Sequence, residues 1–485
     1  MKKTISILLL TAILASMAAC GSTGSPDDTS EKNDISTSEA VSEKPTDGLP
    51  DKNMEGFELK ILHNSADSLT WVNVQLDAES ENGDLANDAI YKRNTYIEDR
   101  FKCILTYEEQ KGSDIVNQYS NLVMSGDNPY DIIMVYGIEA IKHIDNYADI
   151  GALPYLKLDA EWWNPEATGV FNIGGKQTTA AGSFSLSYVS TANCLLFNKR
   201  IYSDMNTGES LYDLVDSGRW TIDKFFEVAA SAVRDLNGDS KMDGSDIWGS
   251  NGTPKSFHHM LVIGSDQHYV TKDKDGYPVF NAAKDEKLIN FFEKIINYEK
   301  KSPYAYALST DVNNATTEVN FRNGGCLFEV TWGHHIANYR DMQDDFGIIP
   351  APKYDESQDK YYANMANGEV MTLPRSYDSN RAENIGMLLE AMSFYTYNEV
   401  LPVYKNELLS TKVARDEDSS RMLDLIFDGV VYDFGINVWQ DNLGNNIIKQ
   451  IFIPQSDAIV STLDTLSNSV DTDIKKLRES IEAMP

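Results

Sequence analysis

The sequence predicts an α/β fold built on an open, mostly parallel sheet, and three observations carry that reading. Strand-like alternation of apolar side chains gives way repeatedly to helical spacing between residues 57 and 136. The composition, 42% hydrophobic and 24% charged, is that of a globular chain, and 485 residues leave room for two or three domains. After the N-terminus no run approaches the ~18 apolar residues that a membrane-spanning helix needs.

Element by element, "FELKILH" (57–63) alternates Phe57, Leu59 and Ile61 with polar neighbours and ends against Leu62. A helix follows over about 84–101, with Leu85, Ala89, Ile97 and Phe101 on one face, and then the strand "CILTY" (103–107). A second helix at 113–124 aligns Ile115, Val116, Tyr119, Leu122 and Val123, and "YDIIMVY" (130–136) reads as a fully buried strand. Strand, helix, strand, helix, strand is the pattern of an α/β sheet. Further on, 221–235 and 285–300 are helical, "GGCLFEVTW" (324–332) is a strand with a Gly-Gly entry, and the chain turns helical from about 380, with more helix near 455–482. No internal repeat of fixed period is visible.

The net charge of −32 excludes nucleic acid as a partner, because phosphate binding requires a basic face. At the N-terminus Lys2 and Lys3 precede an apolar run from Ile5 to Ala15, too short to span a membrane as a mature helix. It closes on "SMAAC", with small residues before Cys20. This resembles a bacterial lipoprotein signal, which implies cleavage after residue 19 and lipidation of Cys20. Residues 20–56 are rich in Ser, Thr, Asp, Glu and Pro and are read as an acidic, disordered tether from that lipid anchor. The other cysteines, Cys103, Cys194 and Cys326, lie in apolar contexts and are read as free and buried.

Several segments taken in order, "NPYDIIMVY", "WWNPEATGVFNIGGKQ", "LLFNKRIYSD", "SGRWTIDKFFEVA", "VNFRNGG" and "FGIIPAPKYDESQDKYY", resemble the extracellular solute-binding lipoproteins of carbohydrate ABC transporters, of the maltose-binding type. The resemblance runs from about residue 57 to the C-terminus. It implies a two-lobed, periplasmic-binding-protein-like fold, with lobe 1 holding 57–158 and 318–362 and lobe 2 holding 159–317 and 363–485. It also implies a hinge, a ligand cleft between lobes at the carboxyl ends of the strands, and closure around a carbohydrate, an oligosaccharide. The partner would be a permease, the location the extracellular face of the cell membrane, and the protein a monomer without enzymatic activity.

An extracellular, lipid-anchored glycan-acting enzyme such as a glycoside hydrolase is the alternative. It requires two carboxylates at controlled separation, and 74 acidic residues make such pairs uninformative. The chain contains no nucleophile elbow, zinc-protease helix or phosphate loop. Adjacent histidines in "FHH" (257–259) and "GHH" (333–335) do not face one site on a helix and are read as hydrogen-bonding residues.

Sugars present apolar C–H faces and rings of hydroxyls, so their sites pair aromatic platforms with amides and carboxylates. Trp162, Trp163, Trp220 and Trp248 are assigned to packing. Trp332 follows a strand at its carboxyl end, Trp71 lies in the loop after the first strand, and Tyr136 ends "DIIMVY". Tyr432, Asp433 and Trp439 occupy a stretch that, by the resemblance, brings second-lobe aromatics to ligand. Asn64, Asn364 and Glu369 are polar candidates near strand ends or the hinge.

One further motif stands apart. "DLNGDSKMDGSD" (235–246) puts oxygen-bearing side chains at positions 1, 3, 5, 9 and 12 of a calcium loop: Asp235, Asn237, Asp239, Asp243 and Asp246, with the Lys241 carbonyl at position 7. Serine (Ser240) replaces the usual glycine at position 6, so it must adopt a conformation that glycine takes freely. Aspartate at position 12 is similar to dockerin-type loops. A structural Ca2+ is the expectation.

Overall fold

The structure, a computed structural model, describes residues 46–65, 76–110, 114–125, 128–302, 314–366, 368–409 and 417–484. The predicted alternation holds in the first half. Strand β1 (Phe57–Asn64) is followed by helix α1 (Leu85–Phe101), β2 (Cys103–Gln110), α2 (Asp114–Ser125) and β3 (Ile132–Tyr136). Helix α1 begins where the Asp84 carboxylate accepts from the Asn87 amide at 2.9 Å, and it stops at Lys102, whose φ of 51° leaves the helical region.

The chain then builds β4 (Asn193–Asn198), α3 (Ile222–Ala232), β5 (Trp248–Asn251), α4 (Glu286–Lys301), β6 (Cys326–Trp332), β7 (Phe346–Ile349), β8 (Glu369–Pro374), α5 (Ala382–Tyr395) and α6 (Ile459–Glu482). Helix α4 shows how pattern becomes packing. Asp285 caps it, accepting from the Leu288 amide at 3.0 Å, and Leu288, Phe291, Phe292, Ile295 and Ile296 are all buried. Each such side chain contributes about 1.5–3 kcal/mol on leaving water. Helix α3 ends at Ala232, short of the predicted Asp235, because Val233 is extended and Arg234 forms a bridge with Ile247.

Two main sheets result. In the first, β2, β1 and β3 are parallel, β8 joins β3 antiparallel, and Tyr147–Ala148 and Thr179–Ala180 pair with β8. The second runs β7-β4-β6-β5; β4 is antiparallel to both β7 and β6, and β5 is parallel to β6.

The expected division of the chain between lobes is corrected by this pairing. Segment 318–362, assigned to lobe 1, supplies β6 and β7 to the second sheet. Conversely β8 and α5, assigned to lobe 2, belong with the first sheet: β8 pairs with β3, and Ile385, Leu388, Leu389 and Met392 share a core with Leu59, Ile61 and Ile97. Strand partners lie far apart in the sequence, so local pattern could not reveal them.

Order also begins earlier than residue 57. Asp47, Leu49 and Met54 are buried; the Asp47 carboxylate pairs with Arg100, and Leu49 O accepts from the same guanidinium at 3.1 Å. The polar composition of 46–56 hid a segment held by hydrogen bonds together with two apolar side chains, Leu49 and Met54, in the core. Cys103, Cys194 and Cys326 are free and buried. Trp163 and Trp220 are fully buried, donating to Glu390 at 2.7 Å and Pro350 O at 3.0 Å. Cys20 and residues 1–45 lie outside the described residues; among those described, no helix is long and apolar enough to cross a membrane.

Candidate functional site

The segment entering β4 is unusual in content. Thr178, Thr179, Ser183, Ser185, Ser187, Ser190, Thr191 and Asn193 are all buried, each at most 4% exposed. Residues 187–193 form a wall on which the chain's two halves meet. The Ser187 hydroxyl accepts from the Glu369 amide at 2.8 Å, at the start of β8. Asn193 Oδ1 accepts from the Asn364 amide at 2.9 Å, while Asn193 itself lies opposite Trp332 in the β4–β6 register. Ser190 O accepts from His334 Nδ1 at 2.6 Å.

Five of the sequence-predicted residues border this segment in two groups: Asn64, Tyr136 and Glu369 about Ser187, and Asn364 and Trp332 about Asn193. Asn64 closes β1 and donates its amide to Glu369 Oε1. Glu369 lies opposite Tyr136 across the β8–β3 ladder, and Asn364 accepts from Asn437 Nδ2 at 3.1 Å. Trp332 is half-buried, its ring edge-on to His335 at 5.6 Å. Burial pushes the Glu369 carboxyl up to about 8, against the effect of its Asn64 hydrogen bonds, so it is protonated at neutral pH. Burial lowers His334 to about 4, helped by neighbouring His335, and its imidazole is neutral.

Three atoms of this wall, Asn64 Oδ1, Glu369 Oε2 and His334 Nε2, are buried with no hydrogen-bond partner among the described residues. An unsatisfied buried polar atom costs about 1–3 kcal/mol. Together they offer two acceptors (Asn64 Oδ1 and His334 Nε2) and, with Glu369 protonated, an O–H donor.

Other candidates lie differently. Tyr432 is buried against Phe171, ring centroids 4.8 Å apart, and its hydroxyl abuts Gly137 so closely that a Cβ there would fall 2.2 Å away. Asp433 caps the turn after it, accepting from the Ile436 amide at 2.7 Å, and faces His268 at 3.2 Å. Trp439 packs on Phe434. These three shape the core behind the site. Trp71 lies outside the described residues. Sequence reasoning missed Ser187, Ser190, Asn193, His334, His335 and Asn437. The available signal was the run of small hydroxyl and amide residues ahead of "NCLLFN", too polar for the buried position it occupies.

In the loop 235–246, the Asp235 carboxylate accepts from the Gly238 and Ser240 amides at 2.7 and 2.8 Å, and Asp246 accepts from Leu236 and Asp243 at 2.9 and 2.8 Å. Ser240 takes φ 64°, the left-handed conformation its position demands. Asn237 and Asp239 each accept from the amide two residues on.

Two α/β sheets with a buried polar wall where chain segments pass between them define the class of two-lobed binding proteins. The chain matches the family model of the bacterial extracellular solute-binding proteins over residues 105–397, more than half its length, and it belongs to that family. Solved structures of similar fold include the sugar-binding protein MalE from Xanthomonas citri (10% identity, 88% of this chain and 100% of that one, TM-score 0.59). M. tuberculosis UspC is also similar (13%, 86% and 100%, 0.58), as is the cyclic alpha-maltosyl-1,6-maltose binding protein from Arthrobacter globiformis (12%, 87% and 100%, 0.55). No curated protein sequence matches the chain.

Proposed function

We propose that this protein captures a carbohydrate, an oligosaccharide, between its lobes and presents it to the permease of an ABC transporter without chemical turnover. The observation that carries the reading is a set of buried polar atoms on Asn64, Glu369 and His334 with no hydrogen-bond partner among the described residues, on segments that also carry the rings of Tyr136 and Trp332. Sugar hydroxyls both donate and accept, and so satisfy an amide oxygen, a protonated carboxyl and a neutral imidazole, while C–H faces lie on aromatic rings. Membership of the solute-binding family supports the same reading, as do relatives of similar fold whose names specify sugars. Asn364 would position Trp332 through Asn193, with Tyr432, Asp433 and Trp439 supporting the wall.

In this reading the protein is a monomer on the extracellular face of the cell membrane, held through lipidated Cys20. A Ca2+ held by Asp235, Asn237, Asp239, Lys241 O, Asp243 and Asp246 serves structure alone; the spacing of the loop and the left-handed Ser240 support it. A thermal-shift screen over mono- and oligosaccharides tests the function. A cognate sugar at 100 times its Kd adds about 2.7 kcal/mol of stability. Response to peptides with none to any glycan, or release of sugar products, would overturn it.

A further inference from the structure

Successive strand residues point to opposite faces, so His63 leaves the side of the sheet that Asn64 serves. There it meets two carboxylates. A ring nitrogen of His63 and one oxygen each from Asp77 and Glu109 lie within 4.8 Å of one another. Glu109 is the register partner of His63 across β1 and β2, which sets the two side chains abreast. Asp77 arrives from a different segment, ahead of α1.

The histidine is prepared in a particular way. It is 2% exposed, walled by the edge-on ring of Tyr107 at 6.2 Å. Its Nδ1 lies 3.0 Å from Asn64 O, which can only accept, so Nδ1 carries the proton and donates. That leaves Nε2 with its lone pair, buried and without a hydrogen-bond partner among the described residues.

We infer that His63, Asp77 and Glu109 form a binding site for a divalent transition-metal cation of the zinc type. One imidazole nitrogen and two carboxylates are a zinc-like donor set whose charge balances the ion, whereas calcium takes oxygen alone. A ligating histidine fixed through its other nitrogen by a backbone carbonyl is the arrangement that orients such ligands. Metal–ligand bonds of about 2.0–2.2 Å require donors within roughly 4.2 Å of each other. Glu109 is exposed and can close the remaining gap, and water completes the shell. The bound ion ties the ends of β1 and β2 to the segment entering α1, behind the residue that reaches the ligand wall.

The test uses tag-free mature protein, stripped with chelator and held in calcium buffer so that the 235–246 loop does not compete. Calorimetric titration with ZnCl2, checked by elemental analysis, should give one zinc per chain. His63→Gln should weaken it at least tenfold and Glu109→Gln by a smaller factor, while Asp239→Ala leaves it unchanged. Co2+ in place of zinc should produce visible absorption that His63→Gln abolishes. Absence of stoichiometric zinc, or unaltered zinc affinity in folded His63→Gln, overturns the inference. Should His63→Gln not fold, the exposed Glu109→Gln variant decides: unchanged affinity there overturns it equally.

Discussion

Trp332 and Glu369 illustrate how much a single side chain can be asked to do. Trp332 is half-buried at the end of β6, opposite Asn193. In the proposed site a ring that large, half open to solvent, would serve as a stacking platform. Trp332→Ala should lower sugar affinity at least tenfold, about 1.4 kcal/mol, by titration calorimetry, with fold and calcium content kept; equal affinity would remove it from the site. Glu369 makes a pH-dependent prediction. Its folded pKa of about 8 exceeds the ordinary value of 4.5, so between these values the native state binds more protons than the unfolded one. Stability from this group is complete below about 4.5 and is lost as pH rises through about 8. Glu329, buried and likewise pushed up to about 8, acts in the same sense. Glu369→Gln should therefore flatten, without abolishing, the fall in Tm between pH 5 and 8. An identical slope in the variant would show that Glu369 is ionised throughout.

The elements carry the next prediction, in the loop between α3 and β5. Its carboxylates accept from the loop's own amides, and Asp246 is buried at its end. If a cation holds this loop together, chelation should lower Tm by several degrees and Asp239→Ala should reproduce the loss. Sugar binding should survive in both. Elemental analysis without calcium, together with a Tm indifferent to chelator, would sink the assignment. The spacing of the loop was legible because its oxygen-bearing side chains occupy fixed offsets in one short segment. Ser240 was legible for the same reason: the position requires a left-handed residue whatever surrounds it, and φ is 64°. Helices α1 and α4 were equally readable, since capping and apolar spacing are local.

For the molecule as a whole, attachment and capture are separable. If Cys20 carries lipid, Cys20→Ser should move the protein from the detergent phase into the medium or leave it unprocessed, with sugar affinity unaltered. Wild type found free in the medium with residues 1–19 intact would contradict the anchor. The assignment of segments to lobes, by contrast, needed the tertiary structure. Both β6 and β8 read plainly as strands, yet nothing in "CLFEVTW" or "EVMTLP" states which sheet each will join. Pairing is settled by partners more than a hundred residues away, β4 for β6 and β3 for β8.

By itself the sequence determined the α/β class, the positions of most helices and strands, the free buried cysteines and the spacing of the acidic loop. Each depends on periodicity, capping or offsets within one segment, where the chain is its own context. Only the tertiary structure decided that Ser187, Ser190 and Asn193 would become a wall, that Asn64 would meet Glu369 across a separation of 305 positions, and that His63 would face Asp77 and Glu109. Small polar residues look alike in a loop and in a binding site. What separates them is burial and the partner each finds, and both come from contacts that no local pattern encodes.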